Sequence, residues 1–136
     1  MTELVDEMTA ERVAAWVRRK IAEAVEEFQK RSIADSAVLE AKPAWAFPFN
    51  VVIGKVRGQR DDSHFFWTIC GDVPCDFLAS SVAATPREAA RHFALKWQLE
   101  AARQRGSEQA ALADDRERAA EALYDLVRDD VLWPGG

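Results

Sequence analysis

Two cysteines and two aspartates lie close together in the segment CGDVPCD, which runs from Cys70 to Asp76. A cysteine thiolate can act as a nucleophile or a metal ligand, and a carboxylate can act as a general base. Asp and Pro are also common turn residues, because Asp hydrogen-bonds to nearby backbone and Pro fixes the bend. We therefore interpret the segment as a turn after a strand, and its carboxylates Asp72 and Asp76 as candidate ligand-binding groups.

A second polar group follows later in the chain, where Glu88, His92 and Lys96 recur at four-residue steps and so share one face of a helix. Such a face can bind an anion or exchange protons, although solvated ion pairing is the simpler interpretation. If the aspartate turn folds toward this helix, a small-molecule site forms between them. Its polar groups and its tryptophan walls would be Asp72, Asp76, His92, Lys96, Trp67 and Trp97.

Cys70 and Cys75, together with His64 and His92, have the donor types of a tetrahedral zinc site. Their spacing is not that of a structural zinc site, so we expect no metal and no cofactor. Both cysteines are expected to be reduced thiols, as is usual in the cytoplasm. Cys70 is then a small core residue and Cys75 the more reactive thiol, for which a Cys–His couple with His92 is open.

The composition and net charge of the chain argue against several classes of protein. The chain has 136 residues and a net charge of −5, which argues against nucleic-acid binding because that needs a basic face. The N-terminal segment MTELVDEM resembles neither a signal peptide nor a membrane helix, so we expect a cytoplasmic protein that does not bind membranes. With 49% hydrophobic residues, one α+β domain over residues 1–136 is expected. The sequence contains no phosphate-binding loop, nucleophile elbow or zinc-protease motif.

The clearest predicted helix runs from Thr85 to Arg105. Thr85, Pro86 and Glu88 fit the N-cap, N1 and N3 positions of a capping box. Gly106 fits the left-handed residue that ends many helices. The predicted core face of this helix consists of Ala90, Phe93, Ala94, Trp97 and Ala101.

Two further helices flank the middle of the chain. The first is predicted from Thr9 to about Arg31, because apolar residues of helical period face charged ones, including the i,i+4 pair Glu27 and Arg31. The last is predicted over roughly Glu108 to Leu132, with Ser107 as its N-cap. Because one glycine separates the last two helices, they should form an antiparallel α-hairpin.

Between the first two helices we expect strands. Alternating apolar residues predict one strand from Trp45 to Gly58, and Pro48 places its start at an edge or a bulge. A polar turn should link it to a second strand that starts at His64, and a link this short requires antiparallel pairing. The remaining segments are a connector over Ile33–Ala44, the turn Gly58–Ser63, the second strand His64–Gly71 and a short third strand Phe77–Val82.

Five tryptophans are many for a chain of this length. Trp16, Trp67 and Trp97 fall on predicted core faces, where their burial is expected. Trp45 and Trp133 fall at the ends of elements, where an aromatic side chain can cover the core or anchor an interface.

Three stretches, NVVIGKVRG, FFWTICGDVPCDF and PREAARHFALKWQLEAAR, resemble a family of small bacterial proteins grouped as a domain of unknown function of about this length. The resemblance extends from Trp45 to Trp133, and its distinctive pieces are Gly71-Asp72-Val73-Pro74, His92-Phe93 and Lys96-Trp97-Gln98. It implies a bacterial cytoplasmic protein and no particular activity, cofactor or catalytic residue. Cys75 stands where a small polar residue would be expected, which puts in doubt any role that needs both cysteines.

The sequence thus predicts an α+β fold with a long N-terminal helix, a β-hairpin or three-stranded antiparallel sheet, and a C-terminal α-hairpin packed on that sheet. Small size, acidic charge and the lack of a catalytic motif favour a non-enzymatic protein-interaction module, such as an adaptor or an immunity protein for a basic partner. It would bind a protein or another copy of itself through an apolar, tryptophan-bearing surface. The alternative is the small-molecule or enzymatic site between the aspartate turn and the helix with His92 and Lys96.

Overall fold

The computed structural model describes residues 2–31, 38–58 and 65–134, with the backbone alone described for residues 2–8 and 39. The predicted α+β class is confirmed. Contacts divide the chain into two compact units, one up to Ala79 and one from Ser80 onward. The elements in chain order are α1 (Thr2–Lys30), β1 (Val38–Phe47), β2 (Val51–Gly58), β3 (Phe66–Gly71), β4 (Asp76–Ala79), α2 (Pro86–Arg105) and α3 (Ala110–Val127).

Helix α1 confirms the predicted first helix and begins earlier, at Thr2 instead of Thr9. It contacts β1, β2 and β3, so it covers part of the sheet. Trp16, Ala24 and Phe28 are buried, at spacings of four or eight residues that place them on one face. The ring of Phe28 meets the rings of Phe66 and Phe77 edge-on, with centroids 5.4 Å apart in both pairs. This aromatic cluster anchors the C-terminal half of α1 to the sheet.

The sheet has four strands among the described residues, in the order β1-β2-β3-β4, and every neighbouring pair is antiparallel. The predicted pairing is confirmed at its centre, where Ile53 of β2 lies opposite Ile69 of β3. Strand β2 is buried on both faces, since three consecutive residues, Val51, Val52 and Ile53, are each no more than 1% exposed.

The predicted single strand from Trp45 to Gly58 is wrong, because the chain turns back within it. Asn50 N donates to Phe47 O at 3.0 Å, and Phe49 has a φ of 63°. Pro48 occupies the second turn position, where its fixed φ is favourable, and Phe49 takes the third, which in a type II turn usually holds glycine. The Phe49 ring packs on Trp16 at a centroid distance of 5.7 Å, which helps to offset that backbone strain.

The predicted connector Ile33–Ala44 is also partly wrong, because β1 begins at Val38. Pro43 lies inside β1, which is tolerated because β1 is an edge strand and its pairing with β2 shifts between Pro43 and Trp45. The predicted third strand exists as β4, although it begins one residue earlier, at Asp76, and ends at Ala79. Residues Ser80–Val82 form a 3₁₀ turn instead.

In the second unit, α2 begins and ends as predicted, and it contacts α3 extensively, which confirms the α-hairpin. Thr85 Oγ1 accepts from Glu88 N at 3.1 Å, as a capping box requires. Glu88 Oε2 accepts instead from Ala84 N, at 2.9 Å, so the carboxylate caps the residue before the N-cap. Gly106 has a φ of −90°, so the predicted left-handed conformation is wrong.

Helix α3 is shorter than predicted, and Ser107 is not its N-cap. Ser107 Oγ instead donates to Gln104 O at 2.9 Å and accepts from Gln109 N at 3.1 Å. The end of α3 is held by Arg87, whose Nη2 and Nε donate to Val127 O at 2.7 and 2.9 Å. Arg87 Nη2 also pairs with Asp130 Oδ1 at 2.6 Å.

Some predictions are not tested. The packing of the α-hairpin on the sheet and the single domain over residues 1–136 both concern how the two units combine, and they stay predictions. Residues 33–37 of the connector, residues 59–63 of the polar turn, His64 and the C-terminal glycines lie outside the described residues.

Candidate functional site

The segment from Cys70 to Cys75, here called the disulfide loop, closes the β3–β4 hairpin. Ile69 pairs with Asp76 across the strands, so Cys70 and Cys75 occupy the next opposed position. A disulfide joins them, with the Cα atoms 4.5 Å apart. The expectation of reduced thiols, and of Cys75 as a free nucleophile for His92, is therefore wrong for this structure. The sequence does not reveal this bond, because the predicted third strand begins at Phe77, which leaves Cys75 in a loop and not opposite Cys70.

Gly71 holds the disulfide loop against the turn between β1 and β2. Its φ is 133°, and a Cβ at this position would lie 2.2 Å from Asn50 O. The next amide, Asp72 N, donates to the same oxygen at 2.8 Å. Only glycine fits this combination of backbone conformation and close approach. The Asp72 side chain itself is exposed to solvent.

Arg31, directly after α1, binds the other end of the disulfide loop. Its Nη2 donates to Cys75 O at 2.9 Å, and its guanidinium carbon lies 5.5 Å from the Phe77 ring centroid. Its Nε donates to Glu27 Oε1 at 2.9 Å, which confirms the predicted i,i+4 pair. The sequence predicts only this local pair of Glu27 and Arg31. It does not predict the contact of Arg31 with Cys75, because Cys75 lies 44 residues away.

Asp76 is a structural residue in this arrangement, since it is 5% exposed. Its Oδ1 accepts from Phe77 N at 2.9 Å and lies 3.5 Å from Arg31 Nη1. Its backbone oxygen accepts from Thr68 Oγ1 at 3.2 Å. A carboxylate with these partners is held in place, and a ligand that reached it would have to compete with Arg31.

A surface cleft of about 560 Å³ borders the disulfide loop. Cys75 is half-buried at its edge, whereas Cys70 is 3% exposed. The cleft, here called the α1 cleft, is lined by Glu23, Glu26, Glu27, Lys30 and Cys75. It combines charges of both signs beside one cysteine of the disulfide.

Trp67, a predicted wall of the ligand site, is 1% exposed on β3. Its ring meets Phe65 edge-on at a centroid distance of 5.2 Å. Lys55 Nζ lies 5.1 Å from the Trp67 centroid and 4.7 Å from the Phe65 centroid. This cation–π arrangement explains how a lysine is accommodated within the well-buried strand β2.

The other three predicted site residues lie on α2. His92 is exposed and Lys96 is half-buried, whereas Trp97 is fully buried and contacts Phe93 at a centroid distance of 6.2 Å. Since Trp67, Asp72 and Asp76 belong to the first unit and these three to the second, a common site among all six stays a prediction.

The tryptophans are mostly core residues. Trp16, Trp67 and Trp97 are buried as predicted. Trp133 is 4% exposed and its Nε1 donates to Leu126 O at 2.8 Å, so it covers the core. Trp45 is half-buried. The expected tryptophan-bearing surface is therefore wrong, because little indole surface reaches solvent.

On α2, exposed apolar surface is instead provided by leucine. Leu95 and Leu99 are 44% and 63% exposed on α2, and their spacing of four residues places them side by side. Arg91, His92 and Gln98 are exposed around them. Both leucines fall outside the core face predicted for this helix. Their position in the sequence is therefore enough to predict that they are exposed. We call this pair the leucine face.

Within the described ranges, no group of three or more His, Cys, Asp or Glu side chains is placed to hold a metal ion. None of the helices described is long and apolar enough to cross a membrane. His64, one of the four side chains with the donor types of a zinc site, lies outside these residues.

Comparison with known proteins adds one finding. The model of a family described as a domain of unknown function (DUF4826) matches residues 10–133. No curated protein and no solved structure matches the chain. Because the family model covers most of the sequence, including α1 from residue 10 onward, the whole sheet and both C-terminal helices, the chain belongs to the DUF4826 family of domains of unknown function.

Proposed function

We propose that the protein is a non-enzymatic protein-interaction module, of the adaptor or immunity type, which binds through the leucine face of α2. The observation that carries this proposal is the pair of neighbouring exposed leucines, Leu95 and Leu99. Two large apolar side chains one turn apart on a helix fit a groove in a partner surface. A bacterial cytoplasmic setting belongs to the same proposal.

The surroundings of the leucine face support this interpretation. Arg91, His92 and Gln98 are exposed beside it, and an apolar centre with a polar rim is typical of protein interfaces. The exposed fractions of Leu95 and Leu99, 44% and 63%, add up to about one whole leucine side chain. Burying that surface is worth about 1.5–3 kcal/mol, or about ten- to a hundredfold in affinity.

The net charge of −5 favours a basic partner, since opposite charge speeds association. We therefore expect a basic protein that offers an apolar groove. Self-association through the leucine face is the other form of the proposal, and the test separates the two.

The test compares the wild type with the double variant Leu95→Ser/Leu99→Ser. The matched control is Val131→Ser, which removes an apolar side chain that is 91% exposed elsewhere in the same unit. Sedimentation and native mass spectrometry report self-association, and affinity capture followed by titration with the purified captured protein reports a partner. We expect saturable association in the wild type and in the control, and at least about tenfold weaker association in the double variant.

A strictly monomeric protein with no saturable partner would refute the proposal. So would a captured partner whose affinity does not change in the double variant. A fold check on each variant, by circular dichroism, separates loss of binding from loss of structure.

The alternative, a small-molecule or enzymatic site between the aspartate turn and α2, has less support. The carboxylate of Asp76 already accepts a hydrogen bond from Phe77 N and forms an ion pair with Arg31. The two proposed walls, Trp67 and Trp97, are no more than 1% exposed, so they present almost no ring surface to a ligand.

A further inference from the structure

The two cysteines of the disulfide differ in exposure. Cys70 is 3% exposed at the end of β3, whereas Cys75 is half-buried and lines the α1 cleft. Thiol–disulfide exchange begins when a thiolate attacks one sulfur, and access decides which sulfur is attacked. We therefore expect a thiolate from solvent to attack Cys75 and to release Cys70.

We propose that the Cys70–Cys75 disulfide is a reversible thiol-exchange site, which a small zwitterionic thiol attacks at Cys75 from the α1 cleft. This role is independent of the leucine face on α2. The cleft volume of about 560 Å³ falls within the range of small-molecule sites, about 300–1,000 Å³.

The charges of the α1 cleft determine the class of thiol. Glu23 pairs with Lys20 at 3.1 Å, and Glu27 pairs with Arg31 at 2.9 Å. Glu26 and Lys30 are both exposed and also line the cleft. Their carboxylate and ammonium can pair with the ammonium and carboxylate of a zwitterionic thiol such as glutathione. A purely anionic thiol has no ammonium group to pair with the carboxylates of the cleft, and these would repel it.

The reaction balances as two successive exchanges. The first thiolate bonds to Cys75 Sγ, the sulfur–sulfur bond breaks, and Cys70 leaves as a thiolate that takes a proton from water. A second thiolate then attacks the sulfur of the bound thiol, which leaves with it as a small-molecule disulfide and frees the Cys75 thiolate. The protein disulfide gains two electrons, and two small thiols are oxidised to one disulfide.

The fold keeps the exchange reversible, because other bonds hold the disulfide loop when the sulfurs separate. Asp72 N still donates to Asn50 O, and Arg31 still donates to Cys75 O. The strand pairing up to Ile69 and Asp76 keeps residues 70 and 75 opposite each other. An oxidant such as oxidised glutathione can then restore the disulfide from the same geometry.

The first experiment compares the single variants Cys70→Ser and Cys75→Ser, each of which leaves one thiol. Both are treated with oxidised glutathione, and the protein mass is followed over time. We expect the thiol of Cys70→Ser to form the mixed disulfide at least about tenfold faster than that of Cys75→Ser, because cysteine reactivity follows exposure. In concentrated guanidinium chloride the two rates should converge. Equal rates in the folded proteins would overturn the proposal.

The second experiment uses the wild type, so it does not depend on the folding of a variant. The oxidised protein is exposed to limiting reduced glutathione with an alkylating reagent present, and its peptides are mapped. We expect glutathione on Cys75 and the alkyl group on Cys70. The reverse pattern, an even mixture, no reduction of the folded protein, or free thiols after treatment with oxidised glutathione would each overturn the proposal.

The cleft itself is tested by Lys30→Gln and Glu26→Gln. Each should slow reduction by glutathione by about two- to fivefold, as expected for the loss of one exposed ion pair, and leave reduction by uncharged 2-mercaptoethanol unchanged. An equal effect on both thiols, or no effect on either, would rule out the α1 cleft as the recognition site.

Discussion

Arg31 Nη2 donates to the carbonyl oxygen of Cys75 at 2.9 Å, across 44 residues of sequence. This bond joins the end of α1 to the disulfide loop, and the same guanidinium lies 3.5 Å from the buried carboxylate of Asp76. A single side chain thus connects the helix, the disulfide loop and the first residue of β4. We expect this contact to affect both the stability of the first unit and the redox behaviour of its disulfide.

Replacement of Arg31 should therefore cost more than the loss of a surface charge. In Arg31→Ala the carboxylate of Asp76 keeps the hydrogen bond from Phe77 N but loses its ion pair with the guanidinium. The carbonyl oxygen of Cys75 loses the hydrogen bond that Arg31 donates. We expect the free energy of unfolding to fall by about 1–2 kcal/mol, measured by urea denaturation. The control Glu27→Gln removes only the exposed partner of the same arginine and should cost less than about 0.5 kcal/mol. Equal losses would mean that the contacts of Arg31 with the disulfide loop add nothing.

The two glycines that border turns should respond differently to alanine. In Gly71→Ala the new Cβ would meet Asn50 O at 2.2 Å, in a backbone conformation with a φ of 133°. We expect a loss of at least about 2 kcal/mol in the free energy of unfolding. Gly106→Ala is the matched control, since its φ is −90° and its nearest atom would be 3.9 Å away. It should change stability by less than about 0.5 kcal/mol.

The disulfide should contribute modestly to stability because the loop that it closes is short. Its cysteines are 5 positions apart, so the closed loop contains 6 residues. On the chain-entropy model, such a cross-link stabilises the fold by about 2 kcal/mol. We expect reduced and oxidised protein to differ by no more than about this amount in urea denaturation. Complete unfolding on reduction at room temperature would contradict a reversible exchange site.

In the second unit, Arg87 should matter more than Arg105. Arg87 is 15% exposed and holds Val127 O and Asp130, whereas Arg105 pairs at the surface with Asp114 and Glu117. The hydrogen bond that Arg105 donates to Glu117 and the charge of Glu117, followed by Asp114, raise the pKa of Arg105, which stays charged at any ordinary pH. We expect Arg87→Ala to lower the free energy of unfolding by about 1–3 kcal/mol, measured by thermal or urea unfolding, and Arg105→Ala to lower it clearly less. Added salt should reduce the Arg105 effect more than the Arg87 effect.

The leucine face should contribute little to folding. Leu95→Ser/Leu99→Ser removes apolar surface that is already partly in water, so we expect less than about 1 kcal/mol of change in stability. Leu123→Ala, which empties a fully buried position on α3, should cost about 2–5 kcal/mol. If the double leucine variant is as unstable as Leu123→Ala, those leucines support the fold and are not a free surface.

The local chemistry of the chain was sufficient to predict the helices and the pairing of β2 with β3. Thr85 and Pro86 define the start of α2 through contacts within one turn, and Glu88 contributes to the same cap. The antiparallel pairing that was predicted from the short link is confirmed in β2 and β3, where Ile69 lies opposite Ile53. The strand division at Pro48 to Asn50 was missed because Phe49 takes a positive φ that is rare for an aromatic residue.

The candidate sites were less predictable, since their residues come from distant parts of the chain. The capping residues, the apolar periodicity and the acidic charge could be determined from the sequence alone. The first two involve residues close together in the chain, and the charge depends only on the composition. Folding was needed to place Cys75 opposite Cys70, to bring Arg31 to the disulfide loop, to bury Asp76 and to leave Leu95 and Leu99 in solvent. Those outcomes depend on strand register and on which helix face finds a partner, and both are set by packing between segments far apart in sequence.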